Sequence, residues 1–504
     1  MSRLLVTAGH VVVGARSDGT VESIADGGIL IEDGRILGVG PAAALRREDP
    51  SVPTIGGPDD IALPGFVDAH HHVGITPTQL GIPSESLELW SLMLGRGRPV
   101  DPYLDTLVSG LELLRSGVTT VQHLAGVHDD PTTAAETDDA ILRAYTDLGM
   151  RVSYSVGIVD QNRLFVDGQA AAVAALPSPD GAEIAAWLTA WHVPPAEQLQ
   201  RGYRDLRGRW DGQAGGRIRI QLAPTNLHWC SDEALELVAE ASRIDDVPMH
   251  MHLLETPYQR VAGLRRSGRG SVGHLEELGV LSPRLTIGHG VHVDEGDIDL
   301  LAAHGVSLCH NPSSNLRLKS GIAPVVDYLE RGIPVALGID EAGLADDRDM
   351  LLEMKLAYNL HRHPGIGTRS PTAGEVLGMA TVHGARTTSF GDDIGRLSPG
   401  ARADLVLLDR RRLSGAYLSD EVPVEDAVVH RARPEHVRVV LIDGEVVVDD
   451  GVVRTVSEAE VFAEVAAQMA TPWPEREAVE HRSQLLVEVA RRHYADWLEE
   501  GATR

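Results

Sequence analysis

The stretch Pro64-Gly-Phe-Val-Asp-Ala-His-His-His-Val73 decides how the rest of the chain is read. An apolar run, Ala62 to Val67, leads into three consecutive histidines. Side chains two apart on a strand point to the same side, so His70 and His72 can share one ion while His71 faces away. A histidine triplet on its own reads equally well as a solvated loop, so the test is whether other ligands fall at the ends of other strands.

Working outward, seven more apolar runs follow, separated by segments of helical length: Thr119 to His123, Val152 to Val156, Ile218 to Leu222, Pro248 to Leu254, Leu285 to His289, Val306 to His310 and Pro334 to Asp340. Fully apolar runs alternating with helices signal a parallel sheet, and eight such units close a (β/α)8 TIM barrel. Ser231-Asp232 before Glu233, and Thr372 with Glu375 three residues on, read as helix starts. Barrel enzymes assemble their sites at the C-terminal strand ends. There the fifth run reads Met249-His-Met-His-Leu-Leu-Glu255, the sixth ends in Gly288-His289 and the eighth in Ala336-Leu-Gly-Ile-Asp340. His250 and His252 share one face, so spacing leaves the choice open; His252 lies nearer the strand end. Three imidazoles and one carboxylate, His70, His72, His252 and Asp340, suit a divalent ion, Zn2+ first and Fe2+ also.

The two ends of the chain have a different texture. Short alternating runs with hairpin dipeptides at Asp33-Gly34 and Asp443-Gly444 predict one small composite β-sandwich domain. The expected division is 1–61 and 395–456 for the sandwich, 62–394 for the barrel with an insertion at about 160–215, and 457–504 for a C-terminal helical extension. The insertion carries Trp187, Trp191 and Trp210. The extension has a capping pair at Ser457 and Glu460 and an apolar stripe through Leu486, Val489, Ala490, Tyr494, Trp497 and Leu498. That stripe needs a partner, the barrel wall or a second copy, and a homodimer is the expectation.

At 504 residues the chain exceeds one typical domain, and with aromatics at 4% its core must rest on aliphatic side chains. A formal charge of −28 argues against nucleic acid and against an anionic membrane surface. Cys230 and Cys309 read as buried free thiols. The N-terminus has no signal-peptide pattern, so a cytoplasmic enzyme is expected.

These fragments, with His310-Asn-Pro-Ser-Ser-Asn315-Leu-Arg-Leu-Lys-Ser-Gly321, Ala380-Thr-Val-His-Gly-Ala-Arg386 and Gly395-Arg-Leu-Ser-Pro-Gly-Ala-Arg-Ala-Asp404-Leu-Val, occur in one order at compatible spacings. The chain resembles the cytosolic aminohydrolase branch of the amidohydrolase superfamily, the group containing S-adenosylhomocysteine, guanine and triazine hydrolases. The resemblance implies His70, His72 and His252 as metal ligands and Asp340 as ligand and proton acceptor. It also implies Glu255 as proton shuttle and His289 as the residue orienting nucleophile or substrate. Dinuclear members carry a lysine on the fourth strand, whereas here that strand reads Arg217-Ile-Arg-Ile-Gln-Leu-Ala-Pro-Thr-Asn226, so one ion is expected.

The chemistry that follows is attack of hydroxide generated on the ion at an sp2 carbon of an amino-substituted N-heterocycle, with release of ammonia. Opening of a cyclic amide or imide by the same centre is the alternative, and an inactive metal-binding barrel is a third reading from another class. His123, Asn226 and Glu341 are candidate substrate contacts. The arginines at 260, 265, 266 and 269 read as a solvated helix face. Glu341, directly after Asp340, and the long insertion depart from the family pattern and leave the substrate undecided.

Overall fold

The structure is a computed structural model; it describes all residues except 1–2, 17, 73–80, 95, 127–130, 163, 177–178, 191–193, 342–345 and 502–504. The described strands, in chain order, begin with β1 (Arg3–Ala15), β2 (Val21–Glu32), β3 (Arg35–Pro41), β4 (Thr54–Pro64), β5 (Phe66–His71) and β6 (Val118–Leu124). Next come β7 (Arg151–Ile158), β8 (Ile218–Pro224), β9 (Met249–Leu253), β10 (Leu285–His289), β11 (Ser307–His310) and β12 (Val335–Leu337). The last are β13 (Leu405–Asp409), β14 (Val437–Ile442), β15 (Glu445–Asp449) and β16 (Val452–Val453).

Strands β5 to β12 form an eight-stranded parallel sheet in sequential order. Most of their residues are buried, because both faces are covered and no polar alternation is required. The sheet closes on itself where the Asp340 N–H donates to the His70 carbonyl at 2.7 Å, beside a bridge between His71 and Asp340. It is a (β/α)8 barrel, and its seam lies at the histidine cluster.

The remaining strands, from both ends of the chain, make a second sheet in the order β16-β15-β14-β13-β4-β1-β2-β3. This sheet curls over one apolar core that joins Ile29 and Ile36 to Leu405 and Leu441. Its Asp33-Gly34 and Asp443-Gly444 turns take positive φ at both positions, the geometry of a tight hairpin. One expectation shifts: the run Ala62 to Val67 is two strands. Ala62 to Pro64 end β4 and pair with β13, while Phe66 begins the barrel. Gly65 makes the crossing, because a Cβ there would meet the Thr119 Oγ1 at 2.3 Å. The sequence hides the break, since both strands are buried.

Barrel and end sheet are locked by Arg151, fully buried, whose guanidinium donates to Asp404 at 2.8 and 3.0 Å and to Asp443 at 2.8 Å. Helix capping follows the sequence, with Ser231 capping Asp232–Asp245 and Thr372 and Glu375 forming a reciprocal box. At Ser457 only the serine half forms. Both cysteines are free and buried.

The insertion is two different things. The helix Ala196–Trp210 belongs to the barrel wall, with Tyr203 and Leu206 in the main core. The segment before it joins a separate apolar cluster above the strand ends, built from Trp90, Met93, Phe165, Val166, Ile184 and Val261 with Leu486, Val489, Tyr494 and Trp497 of the C-terminal helices. The apolar stripe of the tail therefore has a partner within the same chain; Leu498 remains exposed. Trp191 lies outside the described residues. No helix among the described residues is long and apolar enough to cross a membrane.

Candidate active site

At the strand ends β5, β9, β10 and β12 bring their polar residues to one point. His72 Nε2 lies 3.2 Å from His70 Nε2 and 3.1 Å from His252 Nε2. Asp340 Oδ1 is 3.5 Å from both His70 Nε2 and His72 Nε2. The protonation pattern is set from behind. His72 Nδ1–H donates to the Leu124 carbonyl at 2.9 Å and His252 Nδ1–H to the Thr225 carbonyl at 2.7 Å. Each ring therefore presents a bare Nε2 lone pair to the other. Burial holds all three imidazoles below the ordinary histidine range, His252 to about 3. Neutral rings with lone pairs about 3 Å apart repel unless a cation lies between them, so this donor set fits a divalent metal.

His250 sits behind this group, its Nε2 2.8 Å from His70 Nδ1, and so braces His70 from outside the converging set. Two glycines wall His70 in: a Cβ on Gly288 would meet its ring at 2.8 Å, and one on Gly338 would meet its Cβ at 2.6 Å. His71 turns away, its Nδ1 3.4 Å from Asp68.

His289 and Asp340 both adopt left-handed backbone conformations, φ 72° and 68°, as does Leu254 at 54°. Such conformations cost a non-glycine residue roughly 1–2 kcal/mol and concentrate at functional sites. Here they aim the last side chain of each strand inward. His289 Nδ1 bonds to Asn315 Oδ1 at 2.9 Å, leaving Nε2 3.8 Å from Asp340 Oδ2 and 3.7 Å from Glu255 Oε2. Ser314 Oγ donates to Asp340 Oδ2 at 2.6 Å. Burial, with the charges of Asp340 and Glu88 adding, pushes the Glu255 carboxyl well above the usual carboxylate range. Burial would raise Asp340 too, but the facing His70, His289 and His72 hold it well below.

A cavity of about 210 Å³ opens onto this group, lined by His72, His252, Glu255, Asn226 and Glu341 together with Glu88, Trp90, His228 and Trp229. Asn226 faces it while its Oδ1 accepts the Trp229 N–H at 2.8 Å. His123 is not brought there: it is buried, hydrogen-bonded to the Tyr145 hydroxyl at 3.0 Å and stacked on Tyr154. Its strand position points it to the side that His71 takes, their rings 5.9 Å apart. The helix Leu87–Leu94, which supplies Glu88 and Trp90, was not anticipated. Its signal is the run Leu87-Glu-Leu-Trp-Ser-Leu-Met-Leu94, where one carboxylate interrupts a buried face. The Glu88 carboxyl accepts from the Thr256 hydroxyl, and burial pushes it up to about 7. The arginines after Glu255 are engaged: Arg260 with Asp294 and Asp297, Arg266 with Asp232, Arg269 with Glu277, and Arg265 over the Trp497 ring at 4.0 Å.

Known proteins bear on this geometry. The chain is 32% identical over 455 residues to a 5-methylthioadenosine/S-adenosylhomocysteine deaminase of Syntrophomonas wolfei, covering 88% of this chain and 94% of that protein. It is 30% identical over 452 residues to a 5'-deoxyadenosine deaminase of Methanosarcina mazei, covering 88% and 92%. Among solved structures, a zinc-bound adenosine deaminase from Xanthomonas campestris superposes with a TM-score of 0.78 at 24% identity, over 95% of this chain and 99% of that one. Residues 61–447 match the profile of the amidohydrolase family. The chain thus belongs to the amidohydrolase family, as a metal-dependent hydrolase of carbon–nitrogen bonds other than peptide bonds.

Proposed function

We propose that this protein is a mononuclear deaminase that releases ammonia from an amino-substituted N-heterocycle, with adenine nucleosides the first class to test. The observation that carries the reading is the convergence of the Nε2 atoms of His70, His72 and His252 with Asp340 beside a buried Glu255. In this reading His70, His72, His252 and Asp340 hold one Zn2+, in a barrel spanning about 62–394. Adenine nucleosides come ahead of other heterocycles in this reading because the relatives from Syntrophomonas wolfei and Methanosarcina mazei are named as deaminases of such compounds.

A divalent ion held there supplies Lewis-acid activation of water. Every other part of the reaction falls to side chains. Asp340, kept ionised and fixed by Ser314, accepts the proton that the attacking water gives up. His289, pinned by Asn315, accepts a hydrogen bond from the nucleophile and holds it in line. Glu255, whose burial favours the protonated carboxyl, donates to the ring nitrogen that gains electrons; Asp340 then gives the proton it took from water to the departing amine, and Glu255 recovers its proton from the hydroxyl of the adduct as the carbonyl forms. Trp90 and Trp229 provide flat apolar walls for a heterocycle, and Asn226, His228 and Glu341 face its polar edge.

The test is metal analysis of the purified chain followed by ammonia release from adenosine and its 5'-modified forms, with guanine, pterins, triazines and cyclic amides alongside. One equivalent of zinc and turnover of a nucleoside are expected. A metal-free active enzyme, or full metal and activity in His72→Ala, overturns the reading.

A further inference from the structure

A second cavity of about 500 Å³ adjoins the one at the metal site. The two share Val166, His228, His252 and Gln259 as walls. His252 stands on β9, His228 in the loop that follows β8, and Gln259 on the helix Pro257–Ser267. Val166 belongs to the segment above the strand ends, and its position is set from the far end of the chain. Its N–H donates to the Tyr494 hydroxyl at 2.8 Å. The neighbouring Asp167 carbonyl accepts from His493 Nε2 at 2.8 Å, and the Phe165 ring packs between His493 and Tyr494 at 5.4 and 6.0 Å. The Phe165 carbonyl in turn accepts from Trp229 Nε1 at 3.2 Å, so the same segment steadies an aromatic wall of the inner compartment. Tyr494 also packs on Tyr258, three residues after Glu255, at 5.0 Å.

We propose that Tyr494 is a positioning residue for substrate selection: by holding Val166 at the junction of the two compartments, it sets how well the site accepts a heterocycle that carries a substituent. The inner compartment, at about 210 Å³, takes the ring that reacts. The outer one, lined by Gln161, Asp167, Ser231 and Asp232, takes the substituent that must pass Val166. The C-terminal helix touches neither the reacting atoms nor the metal ligands. It acts through the backbone of one wall residue. The inference rests on the deaminase reading above.

Tyr494→Phe keeps the ring in its apolar cluster and removes only the acceptor for the Val166 N–H. In the full-length, metal-replete enzyme, KM for adenosine should rise about five- to tenfold, the scale of one lost hydrogen bond, with kcat within twofold. KM for free adenine, which has no substituent to pass the wall, should stay within twofold, and zinc content should be unchanged. His493→Ala, which frees the Asp167 carbonyl, should shift the same ratio in the same direction and decides the matter should Tyr494→Phe not fold. Equal KM changes for adenine and adenosine, or a fall in kcat with KM unchanged, overturns the role of Tyr494 while leaving the deaminase reading standing. A wild-type enzyme that releases ammonia from neither overturns the deaminase reading and this inference with it.

Discussion

The two ends of the barrel strands are equally buried and opposite in character. At the start of β7, Arg151 is enclosed with two carboxylates and is held fully charged by them, so a buried charge is matched by buried counter-charge. At the opposite ends, three neutral imidazoles bring their Nε2 atoms together, those of His72 and His252 as facing lone pairs, and three strand-end residues sit in left-handed backbone. One end is satisfied by the fold itself; the other presents a donor set that fits a divalent cation. The first arrangement serves stability and the second, in the function proposed above, chemistry, the division expected of this architecture.

The comparison can be broken at either end, most severely at the catalytic one. Glu255→Gln should lower kcat by roughly 10²–10⁴-fold while zinc stays bound, because a proton carrier is lost and no ligand is; metal analysis alongside steady-state kinetics checks this. At the other end, Arg151→Met leaves the buried Asp404 without its guanidinium, while Asp443 keeps Arg402. Chemical denaturation should then show a loss of roughly 3–5 kcal/mol, with turnover per folded molecule unchanged. Altered turnover would mean that the two ends are not independent. Gly288→Ala sharpens the picture, since the new methyl group presses on the His70 ring. Zinc affinity should fall roughly 10–100-fold, as when a ligand's support is disturbed, measured by competition with a chelator.

The smallest effect concerns Glu88. Its folded pKa of about 7 lies above the ordinary 4.5, so the native state binds more protons than the unfolded chain between those values. Stability contributed by the neutral form is present at low pH and is lost as pH rises through about 7. Glu88→Gln should flatten that slope, by about 2 kcal/mol between about pH 5 and pH 7. Parallel stability curves for the two proteins would contradict it.

The barrel was legible because its strands are continuous apolar runs at regular spacing, and every one of the eight runs has a counterpart among β5 to β12. That the histidine pair, Glu255, His289 and Asp340 come together could be read from the sequence because each stands at or just past a strand end. The choice between His250 and His252 could not. Both share a face, and only the approach of His250 to the back of His70 separates them. Glu88, Trp90 and His228 escaped notice because nothing in their local pattern distinguishes a cavity wall from a packed helix or a polar loop. His123 shows that a strand end alone does not make a cavity wall: its ring packs with Tyr145 and Tyr154 instead.

By itself the sequence determined the order of the strands, the existence of a composite end domain and the residue types able to hold one ion, because periodicity and strand-end position are local properties. Only the tertiary structure decided which nitrogens converge, which glycines make room for them, and that the C-terminal stripe closes over the active site of its own chain. Those are matters of distance between segments hundreds of residues apart. A lone pair acquires its meaning only when another is brought within about 3 Å of it.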